Sequence, residues 1–188
     1  MPLLIRRSHA LALAFLACAA APALSQRDSA TPEQVAARYM QAMKAQQWDS
    51  MAYLMHPYAL HQLRALLGPL FEAPSMDGPR QELLGVRTLA AAQALSDTAV
   101  FVALISRLMG SQAQFTEFLR DATMQVIGHV PEGRDTVHVV YRMSYEKGEA
   151  AVSKMDVVSM QRMGNTWRAL LSGDLRMLGA MLRRQAGT

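Results

Sequence analysis

The sequence predicts an α+β fold in which N-terminal helices pack on a four-stranded antiparallel sheet. Apolar residues recur at helical spacing through the first two thirds of the chain, and after Asp121 the pattern changes to the alternation of strands. The links between these strands are too short for the crossovers of a parallel sheet. With 188 residues, 51% of them apolar and 18% charged, the chain fits one domain and is not disordered.

Residues 1–25 have the pattern of an export signal. Arg6 and Arg7 precede an apolar stretch at 10–21 that is too short to span a bilayer, and small residues at 23 and 25 suit cleavage before Gln26. A lipoprotein with an acylated Cys18 is the alternative. We therefore expect an exported protein, periplasmic or secreted in the first case and anchored to the cell envelope in the second.

The rest of the chain divides into a polar leader at 26–30 and a single domain at 31–188. The signal contains two arginines and no acidic residue, so its removal lowers the formal charge from +4 to +2. That charge is too small to predict a nucleic-acid partner. The domain has no cysteine, which excludes a disulfide, a zinc–thiolate site and a cysteine nucleophile. It also has no second apolar run long enough to predict a transmembrane segment.

The first helix should begin after Thr31, because Thr31, Pro32 and Gln34 form a capping box with proline at the first helical position. A second helix is expected from Asp49 to His56, since the residue before a proline avoids helical backbone. A third carries Leu60 to Leu67. The other expected elements are a loop over 68–80, which has three prolines and two glycines, a weak helix over 81–95, a buried helix or strand over 96–109 and a short helix over 113–120.

Four strands are predicted as a meander, and a closing helix should begin at Asp174. The strands span roughly 123–130, 136–145, 150–163 and 166–171. The turn lengths predict three cross-strand pairs: Val130 with Thr136, Tyr145 with Ala150, and Met163 with Thr166. A bulge would shift any of these pairs by one residue.

This register gathers one apolar face that the helices must cover, called the inner face below. Its apolar members are Ile127, Val137, Val139, Tyr141, Met143, Val152, Val158, Met160, Trp167, Ala169 and Leu171. Lys154 and Asp156 interrupt it, either as an ion pair or with Asp156 as a pocket group of raised pKa. The outer face mixes polar residues with Val126, Val140, Met155 and Leu170, which suits a half-solvated sheet or one that docks on a second copy.

The sequence has no spacing of residues that is typical of a metal-binding or a phosphate-binding site. His56 and His61 are five residues apart across a proline, and His129 and His138 fall on opposite faces of the predicted sheet. The chain has no glycine-rich phosphate loop and no Gly-x-Ser-x-Gly. We predict no metal site and no cofactor.

Several segments resemble the nuclear transport factor 2-like superfamily, which includes the SnoaL-like proteins and ketosteroid isomerase. They are Thr31-Pro-Glu-Gln, Arg38-Tyr39-Met40, Trp48-Asp49 and Asn165-Thr-Trp-Arg-Ala-Leu-Leu171, and the resemblance spans roughly 31–172. It implies a curved sheet around a long first helix, a cone with an apolar pocket, and often dimers formed through the outer sheet face.

Tyr39 and Asp156 match the two oxyanion-hole positions of the isomerase, an enzyme in which an apolar site keeps a carboxylic acid neutral. The isomerase's aspartate base has no acidic counterpart here, because that zone contains His61-Gln62-Leu63-Arg64. His56 or His61 is the candidate substitute.

Three functions follow as expectations. The first is a non-catalytic pocket protein that binds a small apolar ligand or an envelope partner. The second is an isomerase-like or dehydratase-like enzyme in which Tyr39 and Asp156 polarise a carbonyl and a histidine is the base, and the third is a structural homodimer. The expected pocket residues are Tyr39, Trp48, His56, Val139, Tyr141, Lys154, Asp156, Val158, Met160 and Trp167.

Overall fold

A computed structural model describes residues 30–147 and 150–173, together with positions 175, 177, 180, 181 and 184. Within them the fold is α+β, with helices first and then one antiparallel sheet in the order β1-β2-β3-β4. The predicted export signal, Cys18 and Asp174 lie outside the described residues. No helix in the described part of the chain is long and apolar enough to cross a membrane.

The helical part consists of eight α-helices and one 3-10 turn among the described residues. These are α1 (Pro32–Lys44), α2 (Trp48–Tyr53), α3 (Pro57–Leu66), α4 (Pro69–Glu72), the 3-10 turn (Pro74–Met76), α5 (Asp77–Leu84), α6 (Leu89–Gln93), α7 (Asp97–Gly110) and α8 (Ala113–Asp121). The strands are β1 (Thr123–Glu132), β2 (Thr136–Lys147), β3 (Ala150–Met163) and β4 (Thr166–Ala169).

Local signals placed the first helices well. The Thr31 hydroxyl accepts a hydrogen bond from the Gln34 N–H at 3.3 Å, and the Gln34 side chain accepts from the Thr31 N–H at 3.0 Å, so the predicted capping box is confirmed. The predicted start of the second helix, with Asp49 as its N-cap, is wrong by two residues. Gln47 is the N-cap and helix α2 begins at Trp48, so Asp49 lies in the first turn, where a negative charge complements the helix dipole.

The predicted loop over 68–80 is wrong, because the segment folds into α4, the 3-10 turn and the start of α5. Pro69 and Pro74 each stand at the start of a helical turn, where a missing N–H costs nothing and a fixed φ favours helix. The weak helix over 81–95 is broken at Gly85, whose φ of 74° ends α5. For 96–109 the structure decides between helix and strand, since α7 is helical with Ser96 as its N-cap.

The sheet has the predicted meander, with three changes of register. Glu132 instead of Val130 pairs with Thr136, a shift of two residues. Lys147 instead of Tyr145 pairs with Ala150, a shift of two residues that leaves every side chain of β2 and β3 on its predicted face. In β1 the register changes between Val126 and Gly128. This bulge carries Ile127 off the inner face, where it was predicted, and leaves it 49% exposed.

The core lies between the helices and the inner face of the sheet. Val139, Met160 and Ala169 are fully buried there, together with residues of the helices. The free edge of β4 is covered by the α2–α3 link, since the His56 N–H donates to the Ala169 carbonyl at 2.8 Å and the Ala169 N–H donates to the Leu54 carbonyl at 2.9 Å. Leu175 packs against this core. The predicted sheet curvature, the cone and the closing helix remain predictions.

Candidate functional site

The inner face changes from buried to exposed along its length. Val139 and Met160 are fully buried, Tyr141 and Val158 are half-buried, and Val152 is 54% exposed. We call the less covered part, which consists of Tyr141, Val152, Lys154, Asp156 and Val158, the open end of the inner face. It is the candidate functional site because it combines accessible apolar surface with the two charged residues that the sequence placed on this face.

Lys154 and Asp156 form an ion pair at this open end. The Lys154 Nζ lies 2.9 Å from the Asp156 Oδ2, and the Val157 N–H donates to the Asp156 Oδ1 at 2.8 Å. Partial burial opposes ionisation of Asp156, but these two hydrogen bonds and the lysine charge outweigh it and hold the pKa of its carboxyl below the usual range. Of the two alternatives for Asp156, the geometry favours the ion pair. An ionised carboxylate has no proton to donate to an oxyanion.

Two tyrosines lie beside this pair. Tyr141 is directly opposite Asp156 in the β2–β3 register. Burial raises the pKa of Tyr141 to about 12, and the Asp156 charge adds to that shift. Burial likewise raises the pKa of Tyr39, with a further contribution from Tyr141. Both phenols keep their protons at neutral pH.

The other predicted pocket residues lie away from the open end. Trp48 is half-buried against the core, and the Trp167 ring is covered by the Arg162 guanidinium at 5.0 Å from its centroid. His56 is the N-cap of α3, where its Nδ1 accepts from the Tyr58 N–H at 3.1 Å.

His61, the candidate base, is at the contact between α3 and α7. Its Nδ1 lies 3.2 Å from the Asp97 Oδ2, and its side chain is 71% exposed. Arg64, one turn further along α3, approaches the other oxygen of the same carboxylate at 3.7 Å. This pairing joins two helices, and it explains the position of His61 without a catalytic role.

Two surface cavities of the described structure lie elsewhere. One, of about 570 Å³, lies between α1 and α2 and includes Arg38 and Tyr53 in its wall. The other, of about 380 Å³, lies beside α8 and includes Met109 and Arg120. The Asp156 side chain lines neither of these two cavities.

The outer face carries exposed apolar residues, as predicted, but not the predicted set. Val140, Met155 and Leu170 have outer-face positions in the register. Val126 does not, because the bulge places it opposite Tyr141 on the inner face, where it packs against the core. On β3, Met155 and Val157 are 48% and 50% exposed.

Sequence reasoning missed Arg80, which is fully buried. Its guanidinium donates to the carbonyls of Leu70 at 2.8 Å, Ala73 at 2.8 Å and Arg87 at 3.2 Å, and it also contacts the Asp77 carboxylate. The i,i+3 spacing of Asp77 and Arg80 was the only local signal, and such a pair is ordinarily on the surface. Arg80 is a structural cation that holds the α4–α6 region together.

Comparisons with protein-family models, with curated proteins and with solved structures find no match to this chain. Among the described residues, no group of three or more histidine, aspartate and glutamate side chains is arranged to hold a metal ion. The resemblance to the nuclear transport factor 2-like superfamily therefore rests on the sequence segments that carry it.

Proposed function

We propose that the open end of the inner face is a non-catalytic site, at which the protein holds a small, mainly apolar ligand. The observation that carries the proposal is the gradient of burial along that face. Val139 and Met160 are buried beneath the helices, whereas Val158 is half-buried and Val152, which lies beyond Asp156 and Lys154 on the same face, is 54% exposed. Exposed apolar surface of this kind is stabilised when a ligand covers it.

The polar groups of the open end define the chemistry of the ligand. Tyr141 retains its hydroxyl proton, so its phenol can donate to a carbonyl or hydroxyl oxygen of the ligand. Lys154 and Asp156 neutralise one another, which favours an uncharged ligand over an ion. The ligand class that fits is a small apolar molecule with one oxygen function.

The predicted export signal supports this function, because it would place the protein in the cell envelope or outside the cell, where it would meet apolar molecules that move through these compartments. The family resemblance supports it too, since a cone lined by the inner face would deepen the open end into a pocket. The lowered pKa of Asp156 argues against the isomerase-like alternative, which needs that carboxyl to stay protonated.

Binding of the uncharged dye Nile red tests the proposal. Val152→Asp places a charge on the inner face and should weaken dye binding at least tenfold, which corresponds to about 1.4 kcal/mol. Met163→Asp is the control, because Met163 has an outer-face position on the same strand and is 42% exposed against 54% for Val152. Its affinity should equal that of the unchanged protein.

The affinities are measured by fluorescence titration, with circular dichroism to verify that both variants are folded. If Met163→Asp loses binding and Val152→Asp retains it, the dye lies on the outer face and the proposal is wrong. If neither variant changes the affinity, the open end is not the binding surface.

A further inference from the structure

A serine, a histidine and a glutamate lie in hydrogen-bonding sequence on the outer face of the sheet. Ser159 on β3 is directly opposite His138 on β2, and the Ser159 Oγ lies 3.0 Å from the His138 Nδ1. On the other side of the ring, the His138 Nε2 lies 2.7 Å from an oxygen of Glu132 at the end of β1. Three strands therefore supply one constellation of nucleophile, base and acid.

The hydrogen-bond partners of the two ring nitrogens of His138 indicate which nitrogen carries the proton. Glu132 accepts a hydrogen bond, so the proton of the neutral imidazole belongs on Nε2, and this leaves the Nδ1 lone pair to accept from the Ser159 hydroxyl. A serine protease uses the same order of groups with the two ring nitrogens exchanged. The roles do not depend on that exchange, because either nitrogen removes a proton when the other is held by a carboxylate.

The constellation is accessible from solvent and has apolar surface beside it. Ser159 is half-buried, and the His138 side chain is 33% exposed. Val157 neighbours Ser159 on the same face of β3, and Met155 lies further along it; both are about half exposed. Val130 of β1 is opposite His138 and is 57% exposed. An acyl chain can lie on these side chains while its carbonyl carbon meets the Ser159 oxygen.

We propose that this outer-face cluster is an acyl-transfer site, with Ser159 as nucleophile and His138 as general base, acting on carboxylic esters that have an apolar acyl group. The Ser159 oxygen forms a bond to the carbonyl carbon, and its proton passes to His138 Nδ1. The carbon–oxygen bond to the alcohol then breaks, and His138 returns the proton to the leaving alkoxide. Water attacks the acyl-serine in the same way and releases the acid and Ser159.

The surroundings of Ser159 make this reaction slow. The Ser159 carbonyl already accepts from the Leu170 N–H at 2.8 Å, and the strand is paired with β2 on its other side. Backbone amides that are engaged in a sheet cannot turn to a tetrahedral oxyanion, and such donors supply a large part of the rate in efficient acyl-transfer enzymes. A p-nitrophenyl ester has a better leaving group than the acyl-serine, so we expect acylation of Ser159 to be faster than hydrolysis of the acyl-serine, and the labelled protein is the best readout.

The test uses the whole chain with p-nitrophenyl acetate and p-nitrophenyl octanoate. Nitrophenolate release should show a burst that approaches one equivalent per chain, and peptide mass spectrometry should locate the acyl group on Ser159. The octanoate should acylate faster than the acetate because of the apolar side chains beside Ser159. Ser159→Ala should abolish the burst, and His138→Gln should slow it at least a hundredfold.

Ser153→Ala is the matched control. Ser153 is on the same face of the same strand, and its hydroxyl lies 3.4 Å from that of Ser144 on the neighbouring strand, with no histidine in that pair. This variant should react like the unchanged protein. Acylation that persists in Ser159→Ala, or that maps to Ser153 or to a lysine, overturns the proposal. A burst that His138→Gln leaves unchanged also overturns it.

Glu132 is a positioning residue, since it acts through His138. Glu132→Gln should slow acylation while the label stays on Ser159. Nitrogen-15 spectra of the His138 ring should report the Nε2–H tautomer in the unchanged protein and a shift toward Nδ1–H in the variant. An unchanged tautomer with an unchanged rate would show that Glu132 does not position the imidazole. These readouts are independent of dye binding on the inner face, so each proposal can fail alone.

Discussion

Replacing Arg80 by methionine should lower the free energy of unfolding by about 2–4 kcal/mol. The Arg80 side chain is fully buried and donates to three backbone carbonyls, those of Leu70, Ala73 and Arg87. The Ala73 carbonyl keeps a second donor, the Met76 N–H at 3.2 Å. Each of the other two carbonyls costs about 1–3 kcal/mol when it is left without a donor, and the apolar packing of methionine recovers part of the total. Asp77 adds little, because its side chain is 73% exposed and water replaces the lost contact.

Urea unfolding followed by circular dichroism measures this loss. Arg87→Met is the matched control, since the Arg87 side chain is exposed and the substitution retains the backbone carbonyl that Arg80 binds. The control should stay within about 0.5 kcal/mol of the unchanged protein. A loss below about 1 kcal/mol for Arg80→Met would refute the reasoning, because it would mean that water or a shift of the backbone satisfies the Leu70 and Arg87 carbonyls.

Two further predictions concern the carboxyl group of Glu33 and two glycines, Gly133 and Gly85. The hydrogen bond from His129 lowers the pKa of Glu33, so ionised Glu33 stabilises the fold above its unfolded value of 4.5, and this contribution is lost as the pH falls through the lower folded value. Glu33→Gln should flatten the fall of the urea midpoint below pH 4.5, and an unchanged slope would contradict the pairing. Gly133→Ala, at φ 67° in open space, should cost about 1–2 kcal/mol. Gly85→Ala, at φ 74°, should cost more in the same measurement because its Cβ would meet the Arg107 guanidinium, and equal losses would show that Arg107 moves aside freely.

Local interactions explain why much of the fold was predictable. The capping box at Thr31 and the proline after His56 act within four residues, so they specify helix starts without tertiary help. The strand faces were predictable for a different reason. The error between Tyr145 and Lys147 was two residues, and side chains alternate with a period of two, so the faces of β2 and β3 were right although the pairs were wrong.

The candidate site was only half predictable. Alternation along β3 placed Lys154 and Asp156 on the inner face, and their spacing predicted the ion pair that the structure contains. The bulge at Ile127, which moved Val126 from one face to the other, has no comparable signal, because a single extra residue in one strand leaves the hydrophobic pattern nearly intact. The outer-face cluster needed the β1 register and the β2–β3 register together, so it appeared only in three dimensions.

By itself the sequence determined the α+β class, the antiparallel meander, the starts of α1, α7 and α8 and the apolar character of one sheet face. The tertiary structure decided how far along that face the helices extend their cover, which separates buried Met160 from exposed Val152 on a single strand. It also decided that Arg80 is buried, although an arginine in a polar segment is expected at the surface. The physical reason is that the periodicity of side chains in a helix or strand, and the capping of a helix, depend on residues that are neighbours in the chain. Burial instead depends on which distant segments pack against a residue and exclude water from it.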